Sequence, residues 1–372
     1  MKYLSLVLLF LCGNLFAQSP EAIIKYNEAV KAVKAKDHPA AIRLYTESLS
    51  IDPLYALSYY GRASSKMSLK HYEEAIKDFQ KCLKLKDDHA KAYYYLAYSQ
   101  MKIKQYDEAI SNFGESLKHD ESLIKSYYYK AYINLSRGNY NLAIKDYNSY
   151  VNKDPNNSKA YYNLGVCYYK EGMRELAVEA YSNALRIKDD YDEARYERAK
   201  LYYKLEKYTD CIADCQTLLS KDAGNMDALK YRANSYLKAE ELSLAKADFK
   251  SLLAGDPNNS KYLLNLAGIC IREKDYESSI LYYTQLIDAE PSKAAYYKNR
   301  SIAFMQLKDW NNALADLNQL IELSPNNGDA FYNRSNVHLQ MNESEKACED
   351  MRQSAQLGFE QAFDYIAGLC ND

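Results

Sequence analysis

Sliding the chain against itself brings like residues into register every 34 positions, and no other feature limits its possible folds as tightly. Counted from Ala22, units begin at 22, 56, 90, 124, 158, 192, 226, 260, 294 and 328, with no insertion or deletion among these ten. The eighth place holds Ala29, Ala63, Ala97, Ala131, Gly165, Ala199, Ala233, Ala267, Ser301 and Ser335. The twentieth holds Ala41, Ala75, Ala109, Ala143, Ala177, Ala245, Ala313 and Ala347, with Cys211 and Ser279 as variants. The twenty-fourth is mostly a ring: Tyr45, Phe79, Phe113, Tyr147, Tyr181, Phe249 and Tyr283. Two small places let a pair of helices approach closely, and a large ring fills the gap they leave.

Punctuation agrees with the period. Only 12 Gly and 7 Pro occur in 372 residues, which suits nearly continuous helix. Pro53, Pro155, Pro257, Pro291 and Pro325 all fall at the thirty-second place. Proline lacks an N–H and disfavours helix in the residue before it, so a helix ends there. Asn-Asn follows Pro155, Pro257 and Pro325, a turn composition that restarts a helix.

With these residues in place the chain resembles the tetratricopeptide repeat family. Ala160-Tyr161-Tyr162-Asn163-Leu164-Gly165, followed by Tyr168-Tyr169, Ala177, Tyr181 and Ala184, is the best single match. The resemblance implies an all-α, right-handed superhelical solenoid of ten 34-residue helix-turn-helix hairpins over residues 18–361. Each hairpin buries its apolar face only against its neighbours. Residues 358–372 are expected to form a C-terminal capping helix, with Phe359, Phe363, Ile366 and Leu369 at helical spacing. The sixth unit departs most, since Cys211 and Cys215 replace the usual Ala and ring, and looser packing is expected there.

Catalysis finds no support. The five histidines (His38, His71, His89, His119 and His338) occupy unrelated places in their units, so no nucleophile–His set is suggested. No Gly-rich phosphate loop and no HExxH occur. Cys211 and Cys215 share one helix face, but at core places and without further ligands, so neither a metal nor a cofactor is expected. A formal net charge of -2 carries no strong field toward nucleic acid.

Binding is the remaining class, with a protein or peptide as the expected partner. In the family the second, fifth, ninth and twelfth places of each unit face the groove. Here the fifth place runs Tyr26, Tyr60, Tyr94, Tyr128, Tyr162 and Tyr196, and the second carries Lys91, Lys125 and Lys159 in successive units. Tyr98 and Tyr132 add rings at the ninth place, Tyr169 and Tyr203 at the twelfth. The candidate groove therefore comprises Tyr60, Tyr94, Tyr98, Tyr128, Tyr132, Tyr162, Tyr169, Tyr196, Lys91, Lys125 and Lys159. Tyrosine offers large contact area with a polar tip, and lysine suits a ligand with carboxylates. Packing between hairpins is the competing role for the same rings. A carboxylate clamp of the kind some family members carry is incomplete: Lys230 and Asn234 fit, but Ala295 and Asn299 stand where Lys and Arg are wanted. A glycan receptor and a non-catalytic enzyme subunit are the alternative functions.

Residues 1–17 have the pattern of a secretory signal. Lys2 leads, Leu6 to Cys12 is apolar, and Ala17 closes the segment. The apolar run is shorter than the roughly 20 residues of a membrane span, so cleavage is expected, with no integral segment after it. The Phe16-Ala17-Gln18 junction resembles signals of Bacteroidetes-type bacteria, which implies the periplasm or cell surface of a Gram-negative cell. Export permits disulfides. The stretch from Lys346 to Cys370 resembles the terminal segment of secreted bacterial tetratricopeptide proteins. That resemblance implies a disulfide between Cys348 and Cys370 pinning the cap, with two free thiols as the alternative.

Overall fold

The period becomes a run of short helices joined by tight turns. The computed structural model describes residues 19–370, and the expected signal with its cleavage point lies outside them. In chain order the helices are α1 (Pro20–Lys34), α2 (His38–Ile51), α3 (Ala56–Ser68), α4 (Tyr72–Leu85), α5 (Ala90–Lys102), α6 (Tyr106–His119) and α7 (Lys125–Ser136). There follow α8 (Tyr140–Lys153), α9 (Ser158–Lys170), α10 (Arg174–Ile187), α11 (Asp192–Lys204), α12 (Tyr208–Lys221), α13 (Met226–Lys238) and α14 (Leu242–Gly255). The last are α15 (Ser260–Arg272), α16 (Tyr276–Ala289), α17 (Ala294–Gln306), α18 (Trp310–Leu323), α19 (Gly328–Gln340), α20 (Ser344–Gln356) and α21 (Glu360–Leu369). The protein is all-α, built of stacked helix pairs. It divides after Ala194 into two compact units.

Each hairpin turns at one residue. The fifteenth place has positive φ throughout: Lys36, Lys70, Lys104, Gly138, Gly172, Glu206, Glu240, Lys274, Lys308 and Asn342. The left-handed residue lets the next N–H return to the helix just left, as His71 N–H does to the Lys66 carbonyl at 2.9 Å. Helices restart on side-chain caps. The second Asn of each Pro-Asn-Asn turn does this: Asn157 Oδ1 accepts from Ala160 N–H, Asn259 from Tyr262 N–H and Asn327 from Ala330 N–H.

Within a hairpin the eighth- and twentieth-place residues are buried together, and the ring at the twenty-fourth closes over them. That ring is itself held from two sides. The fifth-place tyrosine of its own hairpin meets it at 5.7 Å for Tyr26–Tyr45, 6.0 Å for Tyr60–Phe79 and 5.8 Å for Tyr94–Phe113. A sixth-place tyrosine of the following hairpin stacks on its other face, Tyr95 on Phe79 and Tyr129 on Phe113. Cys211 and Cys215 are fully buried with Ala199 and Leu218 in the core of the second unit.

A polar device supplements these rings. Arg62, Arg198, Arg232, Arg300 and Arg334 at the seventh place each fork the carboxylate of the Asp sixteen residues on, with Nε and Nη2 donating over 2.6 to 2.8 Å. Asp78, Asp214, Asp248, Asp316 and Asp350 are buried, and a bidentate guanidinium is the partner a buried carboxylate needs. Rings lie against these guanidiniums, as Phe331 does with Arg334 at 5.4 Å.

At the end of the second unit, Phe359 and Ile366 pack with Tyr332 on a buried group of Met351, Ala355 and Ala362. Phe363 departs from the expected capping face: it is 58% exposed, because the stripe that reaches α20 runs through Ala362 and Ile366 instead. Cys348 and Cys370 are joined by a disulfide, with their Cα atoms 5.4 Å apart.

Candidate ligand-binding groove

Stacking α3, α5 and α7 side by side leaves a cavity of about 530 Å³ on the first-helix side of the first unit. Lys91, Tyr94, Tyr95 and Tyr98 of α5 form one wall. Lys125 and Tyr129 of α7, with Ser122, Leu123 and Ile124 of the turn before it, form the other. Met67 of α3 closes one end. Helical spacing accounts for this grouping, since the second, fifth and ninth places of α5 lie on one face.

The rings fix each other's positions. Tyr129 stands 5.3 Å from Tyr98 and 6.3 Å from Tyr94, centroid to centroid. Lys102 Nζ lies over the Tyr98 ring at 5.1 Å. Burial pushes the Tyr94 and Tyr129 hydroxyls above the usual phenol range, and the two hydroxyls are within hydrogen-bond reach of each other. Lys91 and Lys125 are exposed at the rim, and no carboxylate lines the cavity. Such a surface offers apolar area, hydroxyl donors and two cations to an anionic, partly apolar ligand.

A second cavity, of about 430 Å³, shares Met67 and Tyr95 with the first. Tyr60 lies there with Tyr26 and Tyr45. Burial pushes the Tyr60 hydroxyl up to about 12.

Of the tyrosines and lysines marked in the sequence, the structure brings together Lys91, Tyr94, Tyr98 and Lys125. The other fifth-place rings have packing to do. Tyr128 sits half-buried against Tyr147 and Tyr150 at 5.8 and 5.3 Å, and Tyr162 against Tyr181 and Tyr191 at 5.7 and 5.1 Å. Tyr196 belongs to the second unit. Its own hairpin has Cys215 where a ring usually stands, and Tyr196 meets Tyr231 at 6.0 Å. Tyr132 is 47% exposed, Lys159 is exposed and Tyr169 is half-buried. Asn234, one half of the partial clamp, donates its amide to the Lys230 carbonyl at 2.7 Å.

Sequence reasoning missed Tyr95 and Tyr129. Only the second, fifth, ninth and twelfth places are expected to face the groove, whereas these sixth-place rings line the cavity as well. The runs Tyr93-Tyr94-Tyr95 and Tyr127-Tyr128-Tyr129 were the available signal. Among the described residues no group of three or more His, Cys, Asp or Glu could hold a metal ion, and no helix is long and apolar enough to cross a membrane.

The tetratricopeptide repeat family matches residues 158–191 and, through a second description of it, 231–295. The TPR repeat family matches 131–172 and 302–342, and the family described as anaphase-promoting complex, cyclosome, subunit 3 matches 37–116. No curated protein matches the chain. Among solved structures it is similar to the C-terminal part of a TPR repeat-containing protein from Cytophaga hutchinsonii, at 21% identity over 65% of this chain and 99% of that one, with a TM-score of 0.53. It is also similar to Naa15/Naa10 bound to HypK-THB, at 13% identity over 91% of this chain and 64% of that one, with a TM-score of 0.52. MamA matches at 25% identity over 43% of this chain and 94% of its own, with a TM-score of 0.42.

Proposed function

We propose that this chain, a tetratricopeptide repeat protein, is a non-catalytic scaffold that holds an extended, acidic peptide segment of a partner protein between α5 and α7. One observation carries the reading. The cavity wall joins Tyr94, Tyr95, Tyr98 and Tyr129 to Lys91 and Lys125 without a single carboxylate. Rings supply contact area at low entropic cost, and the two ammonium groups select for negative charge. On the pattern of residues 1–17 we place the scaffold in the envelope of a Gram-negative bacterium, outside the inner membrane.

The test is a cross-linking pull-down from the native envelope, comparing the wild type with a Lys91→Glu, Lys125→Glu, Tyr98→Ala variant. Both lysines are exposed, so charge reversal leaves the packing intact. Partners captured by the wild type should vanish with the variant and weaken between 0.05 and 0.5 M salt, which shortens the Debye length to a few ångströms. Identical capture by both proteins would rule the groove out. Capture that is lost with the variant but does not weaken with salt would favour a glycan held by the rings.

A further inference from the structure

A third cavity lies on the second-helix side of the first unit, between α6, α7 and α8, and has a volume of about 640 Å³. Its origin is visible by comparison with the other hairpin interfaces. At five other interfaces the twenty-fifth-place side chain bridges to the next hairpin. Thr46 and Thr284 hydroxyls and the Asn318 amide oxygen each accept from the next hairpin's Arg Nη1, at 3.2, 2.9 and 2.8 Å. Asn148 and Gln216 instead donate to Tyr168 and Tyr236. At this one interface the place is Gly114, and a Cβ added there would meet nothing within 4 Å. Two further departures widen the gap. The seventh place is Lys130 rather than Arg, and the eleventh is Asn134 where Tyr168 and Tyr236 carry rings. In the next interface, where Asn148 reaches Tyr168, the corresponding space is about 300 Å³.

The gap leaves Lys130 with donors facing open space. Lys130 Nζ carries three N–H donors, and its one hydrogen bond among the described residues goes to Asp146 Oδ1 at 3.3 Å. The oxygen that Thr46, Thr284 or Asn318 would bring is missing. Charge points the same way. Lys130 pairs with Asp146 and Arg137 with Asp107, which leaves Lys145 as a third cation against two carboxylates in the lining. Asn134 adds an amide to the wall, and Ile110, Leu117 and Leu142 supply an apolar rim.

We propose that this cavity binds a carboxylate carried on a short carbon chain, either a free small acid or the glutamate side chain of a docked protein. The carboxylate supplies the acceptor that Gly114 withdraws, bridging Lys130 and Lys145, while its methylenes lie on Leu142 and Ile110. The site is separate from the tyrosine cavity and does not depend on it.

The test uses the protein with methyl-labelled Ile and Leu, titrated with glutarate and, separately, with acetyl-Ala-Glu-Ala-amide. The expected result is saturable shifts of the Ile110, Leu117 and Leu142 methyls at roughly millimolar concentrations, the scale of one small-ligand contact set. A response to glutarate alone identifies a free-acid site, and a tighter response to the peptide identifies a protein-docking site. Glutaramide should shift these methyls at least about five-fold more weakly, as one charge-assisted hydrogen bond implies. Gly114→Asn should refill the gap and abolish the response while the remaining methyl spectrum stays unchanged, since its side chain enters open space. No saturable shift at these three residues, an equal response to glutaramide, or an undiminished response in Gly114→Asn would each overturn the proposal. Leu123 and Ile124 line the other cavity, so their methyls report that site independently.

Discussion

The Tyr181 ring of α10 lies 2.7 Å from the point where a Cβ on Gly165 of α9 would sit. Non-bonded carbons essentially never approach that closely, so in this hairpin the ring has moved into space that a methyl fills at the same place in others, such as Ala131 beneath Tyr147. Gly165→Ala should therefore lower stability by about 1–3 kcal/mol, since overpacking outweighs the better helix propensity of Ala. Gly268 in α15 has nothing within 4 Å of its Cβ position, and Gly268→Ala should instead stabilise by about 1 kcal/mol. Urea unfolding followed by far-ultraviolet circular dichroism measures both. The same sign for the two substitutions would refute the steric account.

At the hairpin turns, Lys104 holds φ 65° and Gly138 holds φ 79° in equivalent places. The left-handed region crowds a Cβ against the backbone, at a cost of roughly 1 kcal/mol. Lys104→Gly should raise the melting temperature and Gly138→Ala should lower it, each by that order in free energy. A destabilising Lys104→Gly would mean that the lysine side chain contributes more than its backbone strain costs.

Asp146 differs from the forked aspartates by having Lys130 as its partner. Burial, opposed only in part by Lys130, lifts its carboxyl above the ordinary carboxylate range. Because the folded value is the higher one, Asp146 weakens the fold at neutral pH. That penalty is relieved as pH falls through the folded pKa toward the unfolded value of about 4. Lys130→Arg should add a second N–H, lower the Asp146 pKa and stabilise by about 1 kcal/mol. Carboxyl-detected NMR titration of both proteins reads the pKa directly. A wild-type value below about 3.9 would contradict this reading.

The Cys348–Cys370 bond closes a loop with a sequence separation of 22 residues. Loop entropy for that length amounts to roughly 3 kcal/mol. Cys348→Ser with Cys370→Ser should lower the melting temperature and speed hydrogen exchange in α20 and α21, leaving the first unit unaffected. Alkylation of the denatured wild type should label two more cysteines after reduction than before. Equal labelling would show that the bond is not formed in the protein.

Much of the fold was legible because a 34-residue repeat states each structural demand many times over. The small eighth and twentieth places, the ring at the twenty-fourth and the Pro-Asn-Asn turns all had visible physical reasons. The Arg–Asp fork was equally visible and was overlooked: Arg at the seventh place always comes with Asp at the twenty-third, whereas Leu96, Leu164 and Leu266 come with Asn112, Ala180 and Tyr282. The site was less legible. Identical fifth-place tyrosines have different surroundings, because the side chains that touch them, on their own second helix and on the following hairpin, vary from repeat to repeat. Tyr94 gains Tyr129 and the Lys125 wall, but Tyr128 is closed in by Tyr150.

By itself, then, the sequence determined the helical period, the turn positions and the rings that seal each hairpin, since these depend on contacts within one repeat. Only the tertiary structure decided which tyrosines reach a cavity, that Phe363 turns to solvent, and that Gly114, Lys130 and Asn134 open a space together. Those outcomes depend on side chains 12 or more residues apart meeting across helices, where one neighbour's size or charge decides whether the same residue is buried, paired or left facing a gap.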